Sequence, residues 1–304
     1  MENRQSIWNL KILGKLLKDS FSRLQQNDPL RLAGATAFFT SFALPPIIIL
    51  LFQLFRLFFD RKLIGAQLRK VLSGTLGQEG AEQLRSTARG FRNLAQNWYM
   101  DILGLLFLVF IATTLFKVIR NSLHDIWDIG LRKTGLLYDL KVRGQSLAII
   151  LTTGILFVAA SIIDVTRVVA EEYIGRIWQT GSVFITTVFN EIGSILVTTI
   201  WFIILFRYLA NARPSWRVAK AGGILTGVLF YIGRTILSSV MSHSNAGIIY
   251  GAGTAIVLIL LFVFYSSFIL YFGACFIKEY SLFINDPIVL SRKAYHFHLQ
   301  KTAN

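Results

Sequence analysis

Cysteine is all but missing from this chain, with one, Cys275, among 304 residues. A single thiol excludes an internal disulfide and a four-thiolate metal site. Charge is scarce as well, at 15% of residues against about 25% in an ordinary soluble domain. The four histidines do not gather. His296 and His298 are neighbours near the end, while His124 and His243 fall on opposite sides of the expected topology, so no metal and no cofactor are expected. Phosphate-binding glycine loops and nucleophile elbows are absent too. The first residues lack a short apolar stretch with a small-residue cleavage pattern, so no removable signal peptide is expected.

What is present is apolar: 54% of residues, with a mean hydropathy of +0.57. Charges sit in short blocks, and the stretches between them are apolar on every side. Backbone in lipid must satisfy its own hydrogen bonds, so each such stretch reads as a helix. Strands of a membrane barrel would alternate over about ten residues. The sequence therefore predicts an all-α, polytopic membrane bundle of six transmembrane helices with an N-terminal amphipathic helix. A formal charge of +15 would also suit a nucleic-acid binder, but Lys and Arg collecting at cytoplasmic span ends explain it more simply. No nucleic-acid partner is expected.

Residues 1–31 form the cytoplasmic amphipathic region. Leu10, Leu13, Leu17, Phe21 and Leu24 recur at helical spacing over 7–26, with Lys11, Lys15 and Lys18 mostly off that stripe. Such a helix can lie on anionic lipid or pack on the bundle. Asn27, Asp28 and Pro29 break it, and Pro29 suits the opening of the next helix. The transmembrane domain covers 32–277. Its spans are expected at about Leu32–Phe55, Ile102–Ile119, Ser146–Thr166, Ile192–Leu209, Val218–Met241 and Gly247–Ile277. Pro45 and Pro46 remove two backbone donors from the first and are candidates for a bend or break. A long outer connection occupies about 56–98, and residues 278–304 form a short cytoplasmic tail. The fifth span carries Gly222, Gly223, Gly227 and Gly233, which permit close helix contact.

Six crossings put both termini on one side. That side holds twenty of the 31 basic residues, which makes it cytoplasmic in a bacterial inner membrane. The basic connection at 56–98 runs against this rule, but short loops weigh more than a long one. On the same topology, Asp164, Glu191 and Arg234 fall at corresponding depths near the outer ends of their spans. Arg167 lies one turn after Asp164 and could pair with it. Ionised groups inside hydrocarbon are costly unless paired, hydrated or snorkelling. A shared outward-opening cavity, extended by Asn190, Tyr231, Tyr250 and Tyr265, is one reading; simple reach to the interface is the other. Arg120, Asp125 and Asp128 are expected to organise the inner loop.

Four segments carry a resemblance: Leu32-Ala33-Gly34-Ala35-Thr36-Ala37-Phe38-Phe39 followed by Pro45; Phe116 to Trp127, reading FKVIRNSLHDIW; Pro214-Ser215-Trp216 with Gly222-Gly223; and Tyr250-Gly251-Ala252-Gly253 continued to Tyr271-Phe272-Gly273-Ala274. In this order and spacing they resemble the YihY/BrkB family of bacterial inner-membrane proteins, whose early ribonuclease label is regarded as a misassignment. The resemblance implies six spans, cytoplasmic termini and an envelope role, with lipid transport or flipping suggested. The chain departs from the family in places. Ala43 stands where Ser is frequent, His124 where Asn is usual and Phe262 where Trp is common. Cys275 stands where many relatives have Glu, with Glu279 a turn later as a possible substitute.

The leading expectation is a transporter or flippase-like protein for a lipid or other envelope component. Membrane lipids, anionic ones included, are the expected partners, alongside an envelope protein or a second copy of the chain. A non-catalytic scaffold for envelope assembly is the alternative. A membrane hydrolase assembled from distant residues is a third reading that no residue singles out.

Overall fold

Long apolar runs leave the backbone no partner but itself, and a computed structural model shows them as helices. It describes residues 10–55, 98–131, 135–175, 179–243, 254–291 and 294–296, with a few helical positions between 73 and 86. Over 49–55, 98–105, 161–175 and 179–190, among other positions, the backbone alone is described. The expected outer connection at 56–98 and the glycine-rich entry to the sixth span lie largely outside these residues.

Helix α1 spans Leu10–Gln26 and buries Leu16, Ser20 and Leu24 while leaving Lys11, Lys15 and Lys18 exposed. The moment of its sequence thus becomes a face packed mainly on the last helix. Asp28, at φ 50°, turns the chain, and α2 opens on Pro29 and runs to Phe55. Then follow α3 (Trp98–Ile126), α4 (Leu136–Gly175), α5 (Gln179–Tyr208), α6 (Trp216–His243) and α7 (Thr254–Phe283). Among the described residues, four stretches are long and apolar enough to cross a membrane by length and composition: Pro29–Ile48, Leu140–Ala160, Glu191–Tyr208 and Ile256–Phe283.

The six long helices pack in a ring in chain order. Each of α2 to α6 contacts the next, and α7 closes the ring against α2. The α3–α4 junction is the thinnest contact of the ring. Between α5 and α6 the backbones come close because Gly223 and Gly227 present no side chain. A Cβ on Gly223 would lie 3.1 Å from the Ile203 nitrogen, and one on Gly227 3.1 Å from the Thr199 Cα. Four residues apart, the two glycines share one face of α6.

Burial is concentrated at one end. The main core joins Leu123 and Ile126 of α3 and the following Trp127 with Leu205, Phe206 and Leu209, Val218 of α6, and Tyr271, Cys275 and Ile277 of α7. Four very short strands finish this end: β1 (Ile129–Leu131), β2 (Ala212–Arg213), β3 (Val289–Leu290) and β4 (Ala294–His296). The tail strands pair antiparallel with the loops, β4 with β1 and β3 with β2. At two or three residues each, they leave the architecture an all-α bundle.

Three sequence expectations need correction. Helix α2 stays helical through Pro45 and Pro46, both buried, so neither is a break. Membrane helices tolerate proline where the freed carbonyls find other partners. The inner segment after span two is largely helix: α3 continues past Arg120 and His124, and α4 already contains Lys141 and Arg143. At 40 residues α4 measures about 60 Å, twice a hydrocarbon core. The last helix, described over Thr254–Phe283, ends six residues beyond the expected end.

Candidate functional site

Two polar groupings stand out, one toward each end of the ring. At the far end, α5 presents Glu191 and α6 presents Tyr231 and Arg234. Glu191 and Arg234, the latter three residues on, both lie near enough to act electrostatically on the Tyr231 hydroxyl. Tyr231 and Arg234 share a face because they are three apart on a helix. Three of the expected cavity residues therefore meet.

Tyr265 does not join them. Its hydroxyl donates to the Leu229 carbonyl at 3.2 Å, and its ring occupies the space that a side chain at Gly233 would fill. It makes a contact between α6 and α7. Asp164, Arg167 and Asn190 lie on α4 and α5, but their side chains are outside the description, as is all of Tyr250.

The strand-bearing end holds a denser network. Arg23 of α1 forms an ion pair with Glu279 of α7 and reaches Asp128 at 3.3 Å. Lys278 Nζ meets Asp128 at 3.2 Å and donates to the Trp127 carbonyl at 2.8 Å. The Trp127 indole N–H in turn donates to the Ala274 carbonyl at 3.0 Å. Asp128 is delivered to this knot by a left-handed turn, φ 57°, just after α3 ends. Burial, the largest influence on Arg23, works against its charge. The bond to Glu279 and the charges of Glu279 and Asp128 outweigh it and raise the guanidinium pKa.

Beside it, Arg120 is 2% exposed. Nε donates to the Leu209 carbonyl at 2.6 Å and Nη2 to that of Val142 at 3.4 Å; Nη1 has no partner among the described residues. Leu209 follows the last residue of α5, where helix carbonyls lack partners and favour a cation. Burial pulls the Arg120 pKa down to about 10. One turn further, His124 accepts the Asn211 backbone N–H on Nε2 at 3.3 Å, which places its own proton on Nδ1. Burial, then the Arg120 charge, pushes its pKa down to about 4. Asn211 also donates to the Tyr138 hydroxyl.

Sequence reasoning anticipated that Arg120 and Asp128 organise this end. It missed Arg23, Lys278, Tyr138 and Asn211, which lie far apart in the chain and form no motif. Glu279, offered as a stand-in for a missing carboxylate, is committed to Arg23. No group of three His, Cys, Asp or Glu residues able to hold a metal occurs among the described residues.

Comparison with known proteins agrees with this architecture. The chain is 23% identical over 266 residues to a UPF0761 membrane protein of Saccharophagus degradans, covering 88% of this chain and 59% of that one. A UPF0761 membrane protein of Teredinibacter turnerae is 22% identical, covering 88% and 61%. The chain thus spans about three fifths of the length of these two relatives. For a Psychromonas ingrahamii relative of the same name, at 23% identity, the coverage is 87% of both chains. No solved structure matches. The pattern of the family described as virulence factor BrkB matches residues 20–285, nearly the whole ring together with the end of α1. This helical, multi-pass membrane protein belongs to the YihY/BrkB family.

Proposed function

We propose that the chain is a transporter or flippase-like protein of the bacterial inner membrane, moving a lipid or other envelope component. In this reading α2 to α7 make six crossings and both termini are cytoplasmic. The amphipathic α1 rides on α7. The observation that carries the proposal is the proximity of Glu191 to Tyr231 and Arg234 across the packed α5–α6 pair. A carboxylate and a guanidinium placed on apolar helices are costly and mark a functional site by default.

The distribution of packing supports the same reading. The ring is tightly filled and strand-capped at one end, while the span Glu191–Tyr208 is the least buried of the four apolar stretches. A path opening at the far end would expose Arg234 to an anionic headgroup and leave Glu191 to balance its charge when the path is empty. The family's description as a virulence factor fits an envelope role.

The test is movement of a labelled phospholipid between leaflets of liposomes containing the purified chain. Glu191→Ala and Arg234→Ala should each slow movement at least about tenfold while the protein stays folded, one lost charged partner being worth about 1.4 kcal/mol or more. Unchanged movement in both variants sinks the site. Absence of movement with a stable envelope protein retained on purification would favour a scaffold.

A further inference from the structure

The turn joining α5 to α6 is an unusual accumulation of positive charge. Arg207 closes α5, and Arg213, Arg217 and Lys220 follow, all three exposed and none in an ion pair among the described residues. The carboxylate beside them is Asp286, which accepts the Ser215 hydroxyl; Ser215 Oγ also accepts the Val218 N–H at 3.3 Å. The first turn of α6 has no acidic residue, and its unpaired N–H groups add partial positive charge of their own. Four cations and a helix start thus cluster at this turn, where Asp286 is already engaged by Ser215.

The aromatic groups show what lies against this charge. The Arg207 guanidinium sits 4.3 Å over the Trp216 ring and 6.0 Å from that of Tyr208, and the two rings meet edge to face. Trp216 and Tyr208 remain 48% and 42% exposed. Large amphipathic rings at the end of an apolar span belong at headgroup depth. Arg207 is held by its Nη1 bond to the Pro214 carbonyl, yet its Nε is buried with no partner among the described residues.

Below the charge runs an apolar ridge. Lys220 is followed at four-residue steps by Ile224, Val228 and Ile232, 54%, 40% and 47% exposed. From Ile224 to Ile232 the ridge is about 12 Å long at the helical rise. A cationic, aromatic-rimmed head followed by an aliphatic track matches one chemistry. We propose that the α5–α6 turn binds the phosphate of an anionic phospholipid, its acyl chain lying along Ile224, Val228 and Ile232. The inference rests on the membrane placement and goes beyond the transport reading, because a lipid held here need not be the cargo.

Native mass spectrometry of the full chain, purified in micelles with equal phosphatidylglycerol and phosphatidylcholine of identical acyl chains, tests it. The chain should retain phosphatidylglycerol over phosphatidylcholine by about tenfold. Replacing Arg213, Arg217 and Lys220 together by Gln should abolish the preference, and Lys220→Gln alone, on the surface, should weaken it about threefold. The single variant decides the matter if the triple one does not fold. Lys15→Gln with Lys18→Gln, on the exposed face of α1, should leave the preference intact. Equal retention of both lipids overturns the proposal, as does a preference that survives Lys220→Gln and the triple change. Equal loss in the α1 variant would mean generic charge attraction. Displacement of the lipid by millimolar inorganic phosphate would mean a free-phosphate site, and either result also overturns it.

Discussion

Arg23 and Glu279, 256 positions apart in the chain, meet as an ion pair that fastens the first helix to the last. Both side chains are about one-fifth exposed, so the pair is neither a loose surface contact nor fully desolvated. Glu279→Gln leaves Arg23 with Asp128 as its carboxylate partner. The expected cost is about 1–3 kcal/mol, the range for a hydrogen bond to a charged group that loses its counterpart. The loss should appear locally: amide exchange over residues 10–26 should accelerate, with little change in α5 and α6. Uniform acceleration along the chain would show that the pair does not act as a fastener for α1.

His124 should make stability depend on pH. Its folded pKa, pushed down to about 4 by burial and then by Arg120, lies below the ordinary 6.5. Between these values the unfolded chain binds a proton that the folded chain refuses, so stability falls as pH drops from about 6.5 to about 4. Above 6.5 this contribution is constant. The full effect is on the order of 3 kcal/mol. His124→Asn removes the titration and should flatten the melting temperature across that interval. A variant whose profile still falls as steeply as the parent's would assign the dependence to other groups.

Glycines should separate into two kinds. Gly223→Val pushes a branched side chain into the Ile203 backbone and should lower the melting temperature by several degrees, as overpacking costs about 1–3 kcal/mol. Gly144, on the exposed side of α4, has nothing within 4 Å of a built Cβ. Gly144→Ala should therefore be neutral or stabilise by up to about 1 kcal/mol through helix propensity. Equal destabilisation by both would mean that the α5–α6 approach does not depend on the missing side chain.

How much of this was readable from the sequence varies with the range of the interaction. The apolar runs, the amphipathic stripe of α1 and the Asp28-Pro29 junction are local patterns; the runs became long helices, four of them apolar enough to cross a membrane among the described residues, and the stripe and junction fall where expected. The far polar cluster was readable in part, because Tyr231 and Arg234 share a helix face by spacing, and Glu191 shares their depth. The network of Arg23, Asp128, Lys278 and Glu279 was not, since its members come from three distant segments. Arg120 was counted as a loop cation because a charge pattern cannot show that its partners are backbone carbonyls. Tail strands of two or three residues, one with proline two residues before it, lack the alternating run that signals a strand.

Those short strands have a mechanical consequence. One stretch of tail is stitched to the loop between α3 and α4 through β1 and to the loop between α5 and α6 through β2. Two hairpins of helices are thereby pinned at a common edge. Relative movement between them has to pivot there, so its amplitude grows with distance from the stitch and is greatest where Glu191 and Arg234 lie.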